Sequence, residues 1–588
     1  MDKAISRRDF IVGGGVFGAS MAAVGLAGCA PSNGGLPSTD TDASGTSAHK
    51  GADRPLSSRL VEVDEGDVVR TEECDVVVCG SGSAGTYAAI RAAELGARVI
   101  WLEKTSLKGG TSTITEGTLA YNTQEQLDAQ GPTDLQTEFE TYMQWHNWGA
   151  YAPGIWCYLD NSGEALDWAI SHGASMSTGG QGALLSCFDE AGNWVNNGEG
   201  MLKPLWAYGE TLDNLDFRLE SPAVNIILDN EGVGGVYAKS GGDLVRINAK
   251  ATVLATGGFG KNPEMCAERL RVPSERVEFL GFDGQDGDGI NMALTAGALP
   301  QAPSAVMYGL SKACGESWSS MLSIFTQWPP SYRYPLEIGK TLPMVNQSGV
   351  RFYNETLAED ADTSRLNTAI ASQSKVFTLF DEAHVEAYEG EDKLNEFVAF
   401  MGVGSGELRS SVEGSDFVWK ADSFEELAEL MGVDSEALAA TMEDYNNRAK
   451  GDGSHDPLGA DPALMTPLEK KPFYAVQVEA CAYSTCGGVR GDHEARAIGH
   501  DDLPIKGLCA ASITVPCSLT TIPMGCMEDR GRVLLARRDM LLRTQLARIW
   551  VLPSDHLTDD PRSPSAATRG LGVVLKRTKQ GYRTFSFK

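Results

Sequence analysis

A glycine series and one carboxylate carry the first recognisable chemistry of this chain. Gly80-Ser81-Gly82-Ser83-Ala84-Gly85 follows the apolar run Val76, Val77 and Val78. Glu103 follows a second apolar run, Val99 to Leu102. This spacing suits a dinucleotide. Gly80 permits a tight turn, Gly82 lets backbone approach a pyrophosphate, and Gly85 lets a helix pack closely on a strand. The helix that follows offers free N–H groups and a positive dipole end to phosphates. Glu103 can accept hydrogen bonds from a ribose diol. The elements that must position these groups are strand, helix and strand, in that order. A glycine-rich loop without a ligand leaves the acid at the end of the second strand unexplained.

Composition limits the remaining classes. At 588 residues the chain is long enough for more than one domain. A net charge of −30 argues against nucleic acid and against anionic lipid headgroups as partners. The 12 cysteines show no CxxC or CxxCH pairing, which argues against an iron–sulfur pattern, a zinc ribbon and an attached haem. Cys79 and Cys509 read as packing residues. The 8 histidines include no HExxH or paired metal spacing, so no metal is expected.

Further motifs follow in order: Gly109-Gly110-Thr111-Ser112-Thr113 with Gly117, Ala255-Thr256-Gly257-Gly258, Asp286-Gly287-Asp288-Gly289, Gly349-Val350-Arg351-Phe352-Tyr353-Asn354-Glu355, and Ser484-Thr485-Cys486-Gly487-Gly488. Together they resemble the flavoprotein family of fumarate reductases and succinate dehydrogenases, especially the flavocytochrome-type members. The resemblance covers about residues 72–526. It implies FAD, with the first glycine loop, Glu103 and Lys104 at the ADP half. Gly109, Gly110, Thr111, Ser112 and Gly117 would lie along the pyrophosphate and flavin. Thr256, Gly257, Gly258 and Asp288 would meet the cofactor again. Some members tether the flavin through a histidine just before the Gly-Gly-Thr-Ser loop. Lys108 stands there, so non-covalent FAD is expected.

The resemblance also implies the architecture: α/β, a Rossmann-like FAD-binding domain with an inserted α+β capping domain. The FAD-binding domain is expected over 72–336, the cap over 337–480, and a returning segment over 481–527. Helical periodicity is visible within the cap from Ser423 to Gly432 and from Asp434 to Gly451. Residues 528–588 depart from the family. Arg530, Arg532, Arg537 and Arg538 begin a basic tail on an acidic protein. It reads either as an out-of-frame replacement of the family's last helix or as a genuine partner-binding extension.

The reacting groups are less clear. Family members that reduce a dicarboxylate use cationic groups. Here Val385 falls near one arginine position, Tyr483 and Ser484 replace histidines, and Pro523 replaces a late arginine. Charge complementarity for two carboxylates is therefore missing, and a neutral or aromatic acceptor with an activated C=C bond is expected. Tyr483 is a candidate proton donor or a buried packing residue. Glu355 is a candidate proton relay or the ion-pair partner of Arg351. Arg351 is a candidate catalytic group or a junction residue. His384 reads as a solvated helix-face histidine. Trp145, Trp148, Tyr151, Trp156 and Tyr158 form either a wall for a ring-shaped substrate or core.

The first residues read as an address. Ser6-Arg7-Arg8-Asp9-Phe10 precedes a Gly/Ala-rich apolar run, as in a twin-arginine export signal. Leu26-Ala27-Gly28-Cys29 resembles a lipobox, so residues 1–29 form a signal and Cys29 a lipid anchor. Residues 30–71 read as a flexible linker. Three outcomes stay open: an exported reductase fed by an external electron donor, a dehydrogenase like the 3-ketosteroid Δ1-dehydrogenases, and an inactivated flavoprotein.

Overall fold

The computed structural model describes residues 60–511, except 302–306, 328–340, 357–362, 388–407 and several shorter stretches that include 483 and 486; two short strands near the C-terminus are also described. The expected signal, Cys29, most of the linker, Tyr483, Pro523 and nearly all of the basic tail lie outside the described residues.

The main elements begin with β1 (Val68–Cys79), α1 (Ser83–Glu94), β2 (Val99–Leu102), α2 (Leu135–Trp145) and α3 (Ala152–Ser171). Then come β3 (Leu215–Arg218), β4 (Ala223–Asp229), β5 (Gly232–Ser240), β6 (Asp243–Leu254), β7 (Val277–Phe279) and α4 (Asp288–Thr295). The chain continues through β8 (Ser311–Ala313), β9 (Met344–Asn346), β10 (Val376–Asp381), β11 (Val418–Ala421), α5 (Phe424–Met431) and α6 (Ser435–Ala449). It closes with β12 (Phe473–Ala482), β13 (Arg496–Ile498) and β14 (Pro504–Ala510).

The first sheet runs β13-β14-β6-β1-β2-β3. Its inner neighbours are parallel, and only the edge strand β13 pairs antiparallel along this path. β5 joins β6 antiparallel and β4 joins β5. Parallel pairing requires both faces to be covered, and β1 shows why its sequence is a continuous apolar run. Val76 and Val78 pack into a cluster with Ala88, Ala92 and Trp101, while Val77 and Cys79 face a second cluster with Ile100 and Leu254. The small residues of α1 let it lie close on the sheet, and nearly all of them are buried. β1 starts at Val68, inside the segment read as linker. Val68 and Arg70 pair with Leu244 and Val245, but the polar Arg70-Thr71-Glu72-Glu73 run hid that extension.

The second sheet runs β7-β12-β10-β9, with β8 and β11 also on β12. Strands β7 and β8 come from before residue 337, so this sheet draws on both sides of the expected boundary. β10 alternates between two cores: Val376 and Phe380 face one, and Phe377 and Leu379 face another, which α5 and α6 cover. Those two helices match the expected periodic segments. The Ser423 side chain caps α5 by accepting from Glu426 N at 3.1 Å, and Gly432 ends it at φ 69°. Asp434 caps α6 by accepting from Ala437 N at 2.8 Å.

Two readings are corrected. His384 is not solvated: it is 2% exposed, and its Nδ1 lies 2.7 Å from Asp381 Oδ1. The helix face at residues 382–387 turns inward because Val385 joins the core. Cys509 is disulfide-bonded rather than a free packing thiol. Compartment arguments set only a prior on cysteine pairing, and local geometry decides it.

Candidate cofactor site

The parallel strands of the first sheet bring Cys79, Leu102, Leu254 and Ala510 to one edge, where open parallel sheets bind ligands. Gly80 leaves β1 at φ 104°, and a Cβ there would lie 2.3 Å from the Ala255 carbonyl oxygen. A Cβ at Gly85 would lie 1.9 Å from Gly80 O. Both glycines are therefore dictated by backbone approach. Gly82 has an ordinary backbone, and its missing side chain leaves Ser112 Oγ as the nearest neighbour. Cys79, just before the turn, is buried, and burial pushes its thiol up to about 12. It is packing, as its position suggested.

Glu103 lies at the end of β2 and is 8% exposed. One carboxylate oxygen accepts from Ser81 N at 3.0 Å and Ser81 Oγ at 2.6 Å. The other accepts from Thr105 N and Oγ1, both at 2.9 Å. Ser81 Oγ also accepts from Gly109 N at 2.8 Å, and Ser112 Oγ accepts from Ser83 N at 3.0 Å. These bonds fasten the Gly109–Ser112 loop against the first glycine turn. Gly117 is held from behind. Asn197, wholly buried, donates to Thr115 Oγ1 at 2.6 Å and to Gly117 O at 3.4 Å. No sequence signal marked Asn197, because Asn196-Asn197-Gly198 reads as a turn.

The third wall is the 255–258 turn and the loop before α4. Gly257 has φ 79°, and a Cβ on Gly258 would meet Thr485 Oγ1 at 2.4 Å. Gly289 leaves room for Thr256, whose Oγ1 would be 2.2 Å from a Cβ there. Lys104 Nζ bridges Asp286 and Asp288, the latter at 2.9 Å. Burial disfavours the Lys104 ammonium, but Asp288 and Asp286 outweigh it and hold its pKa above the ordinary value. Burial likewise holds the Asp288 carboxyl up, against the pull of Lys104. Thr111 Oγ1 accepts from Phe282 N at 3.1 Å and from the Gln285 amide. Gly80, Gly82, Glu103, Lys104, Gly109, Thr111, Ser112, Thr256, Gly257, Gly258 and Asp288 thus gather on three adjoining stretches of chain, whereas Ala84 packs into the apolar cluster between α1 and the sheet.

These walls fit FAD. Ser83 Oγ is buried at the start of α1 with no partner among the described residues. An unpaired hydroxyl at a helix N-terminus suits a phosphate oxygen. Lys108 is spent elsewhere: its ammonium pairs with Glu210 at 2.8 Å and lies over the Phe217 ring.

The catalytic candidates sit differently. Arg351 and Glu355 meet in a two-point pair, Nε to Oε1 at 3.0 Å and Nη2 to Oε2 at 2.6 Å. Asp456, absent from the sequence reading, takes Arg351 Nη1 at 2.6 Å. Glu355 Oε1 also accepts from Met344 N at 3.1 Å. All three side chains are at most 7% exposed, and Arg351 lies over the Tyr445 ring. Burial works against the Arg351 cation, yet Glu355 and Asp456 hold its pKa above the usual range. A proton relay through Glu355 would have to break one arm of that pair. Tyr158 is buried with Tyr121 and Tyr142, whereas Trp148 and Trp156 are exposed.

The profile of the family described as FAD binding domain matches residues 75–511. A vinyl phenol reductase of Lactiplantibacillus plantarum is 26% identical, over 76% of this chain and 90% of its own length. A digoxin reductase of Eggerthella lenta is 26% identical, over 88% of this chain and 92% of its own. Among solved structures, the open conformation of a flavocytochrome c3 fumarate reductase superposes with a TM-score of 0.54 at 24% identity, covering 79% of this chain and 77% of that one.

Proposed function

Because the chain belongs to the FAD-binding domain family, we propose that it is an exported FAD-dependent oxidoreductase that reduces an activated C=C bond in a neutral, oxygenated acceptor. The observation that carries this reading is the three-walled cradle at the first sheet's edge, with the unpaired Ser83 hydroxyl at its phosphate end. The chain resembles reductases of vinyl phenol and of digoxin as closely as it resembles fumarate reductases, so a neutral acceptor lies within the range of its relatives. What supports the neutral-acceptor reading is that Val385, Tyr483, Ser484 and Pro523 stand where the family resemblance places cationic groups for a dicarboxylate.

FAD supplies hydride at its N5 atom when bound. The residues of this chain supply the rest. Glu103 and Ser81 would orient the adenosine ribose. Ser83 and the N-terminus of α1 would hold the pyrophosphate. Gly109, Gly110, Thr111 and Ser112 would line the path to the flavin, with Lys108 leaving it untethered. Thr256, Gly257, Gly258 and Asp288 would close the far wall. Tyr483 remains the proposed proton donor. Arg351 and Glu355 are assigned to positioning, through the brace they form with Asp456. Export rests on the Ser6-Arg7-Arg8 segment and anchoring on Cys29. Among the described residues no helix is long and apolar enough to cross a membrane.

The test is anaerobic oxidation of reduced viologen by the holoenzyme. A vinyl phenol or an enone is expected to discharge the dye at least tenfold faster than fumarate. Faster turnover with fumarate would overturn the neutral-acceptor reading.

A further inference from the structure

Glu103 already has a full set of donors. A carboxylate accepts about four hydrogen bonds. Ser81 N and Oγ supply two to Oε2, at 3.0 and 2.6 Å. Thr105 N and Oγ1 supply two to Oε1, both at 2.9 Å. Glu103 is buried, so a ribose hydroxyl can bond to it only by taking the place of one of these donors. The two amides are fixed by their backbone. A hydroxyl proton, in contrast, can turn about its Cβ–Oγ bond. The exchangeable donors are therefore the two hydroxyls.

Those hydroxyls differ in what else they can do. Ser81 Oγ also accepts from Gly109 N at 2.8 Å, but among the described residues its proton has no second acceptor. The Thr105 hydroxyl has one. Its Oγ1 lies 2.8 Å from Leu107 O and 2.9 Å from Glu103 Oε1. A hydroxyl has a single proton to give, so one of these acceptors always goes without it. Only that proton has to move in the exchange. Glu103 is pinned by Arg218 O and Ser221 N at 2.8 Å each, and Thr105 O accepts from Glu220 N at 3.0 Å. Leu107 N goes on donating to Thr105 Oγ1 at 3.3 Å whichever way the proton points.

We propose that Thr105 is a specificity-determining residue for the nucleotide: its hydroxyl cedes Glu103 Oε1 to a ribose hydroxyl and turns to Leu107 O. This rests on the FAD reading above and names the carboxylate oxygen that meets the sugar. The exchange loses no hydrogen bond, so Glu103 is satisfied both empty and occupied. With a deoxyribose the proton turns back to Oε1, and the site tolerates the missing hydroxyl. Without the Thr105 hydroxyl only the ligand can fill that place. A buried charged acceptor left short of a donor is costly, so the site would then reject deoxyribose. Thr105 thus sets how strictly the site demands a ribose.

The probes are ADP, 2′-deoxy-ADP and 3′-deoxy-ADP, titrated by calorimetry into the full-length chain freed of flavin. Removing the hydroxyl that meets Oε1 should weaken binding to the wild type by about threefold or less. In Thr105→Val the same removal should weaken it by at least about tenfold, as expected for an unfilled buried carboxylate site. ADP itself should bind Thr105→Val within about twofold of the wild type, because no ligand contact is lost. Thr105→Ser keeps a hydroxyl and should restore the wild-type pattern. Thr105→Ala, which avoids any misfit of the valine methyl, should repeat the valine result. Equal deoxy penalties in wild type and Thr105→Val, including none in either, would overturn the proposal. So would an equal loss of all three ligands in Thr105→Val, which is what a merely structural threonine gives. A wild type that binds neither ADP nor FAD would overturn the FAD reading and this proposal with it. FAD binding without the coupling would overturn this proposal alone.

Discussion

The cofactor cradle and the Arg351 brace are both buried and both rich in polar contacts, yet they are built on opposite principles. The cradle is made by backbone. Gly80, Gly85 and Gly289 are required because main-chain or neighbouring side-chain atoms occupy the space of their missing Cβ. The brace is made by side chains. Arg351 and Asp456 are 105 residues apart in sequence and meet only once the loop that follows α6 folds back. A backbone-built site writes its requirement into local glycine spacing, and a side-chain-built one shows locally only where its partners are near in sequence, as Arg351 and Glu355 are and Asp456 is not.

The largest expected effect breaks the cradle. Gly85→Val puts atoms where Gly80 O already lies, so it should cost roughly 4 kcal/mol or more and abolish flavin absorbance. Thermal unfolding and a visible spectrum check both. A coloured, stable variant would mean that α1 can move off β1.

The brace is tested next. Arg351→Met leaves Glu355 and Asp456 buried without their cation, at a cost of about 3–5 kcal/mol. The triple change Arg351→Met, Glu355→Leu, Asp456→Asn should recover much of that loss in thermal unfolding. If Arg351→Met instead kept its melting temperature and lost only turnover, the catalytic role would return.

Acid should find the same region. Burial pushes the Asp456 carboxyl up, but Arg351 and the Ala460 and Leu458 amides more than offset it and hold it below its ordinary 3.8. Asp381 is lowered against its own burial by His384 and the Lys470 amide. A carboxyl depressed in the folded state contributes stability that is present above its unfolded pKa. That contribution is lost as pH falls below 3.8 and through the folded value. Denaturant midpoints measured downward from pH 5 should drop most steeply there, and less steeply in Asp456→Asn.

The smallest effect comes from the Lys104 bridge at the cradle's far wall. Lys104→Met removes the bridge to Asp286 and Asp288, both partly exposed, so about 1 kcal/mol is expected. FAD should leave a few-fold faster, with the spectrum unchanged. Release rates in the presence of excess apo-acceptor protein measure this.

Legibility in the sequence follows the same division. Gly80 and Gly85 are legible because each answers a local backbone demand, and Glu103 because it ends the second apolar run, whereas the Gly109–Ser112 loop is legible only through the family resemblance. α5 and α6 were readable because their caps and apolar spacing agree. Asn197 and Asp456 were not, since each looks like an ordinary loop polar residue until the chain folds around it. His384 was misplaced because helix periodicity over so short an element cannot say which face turns inward. The first residues of β1 were missed because polar residues can pair in a ladder as well as apolar ones.

The most direct test of the cradle is the visible spectrum of the purified chain after gel filtration, followed by acid precipitation. The account predicts a two-band flavin spectrum and FAD released into the supernatant at about one per chain, since Lys108 is paired with Glu210 and offers no tether. A colourless folded protein would contradict the cradle, and flavin retained in the precipitate would contradict its non-covalent hold.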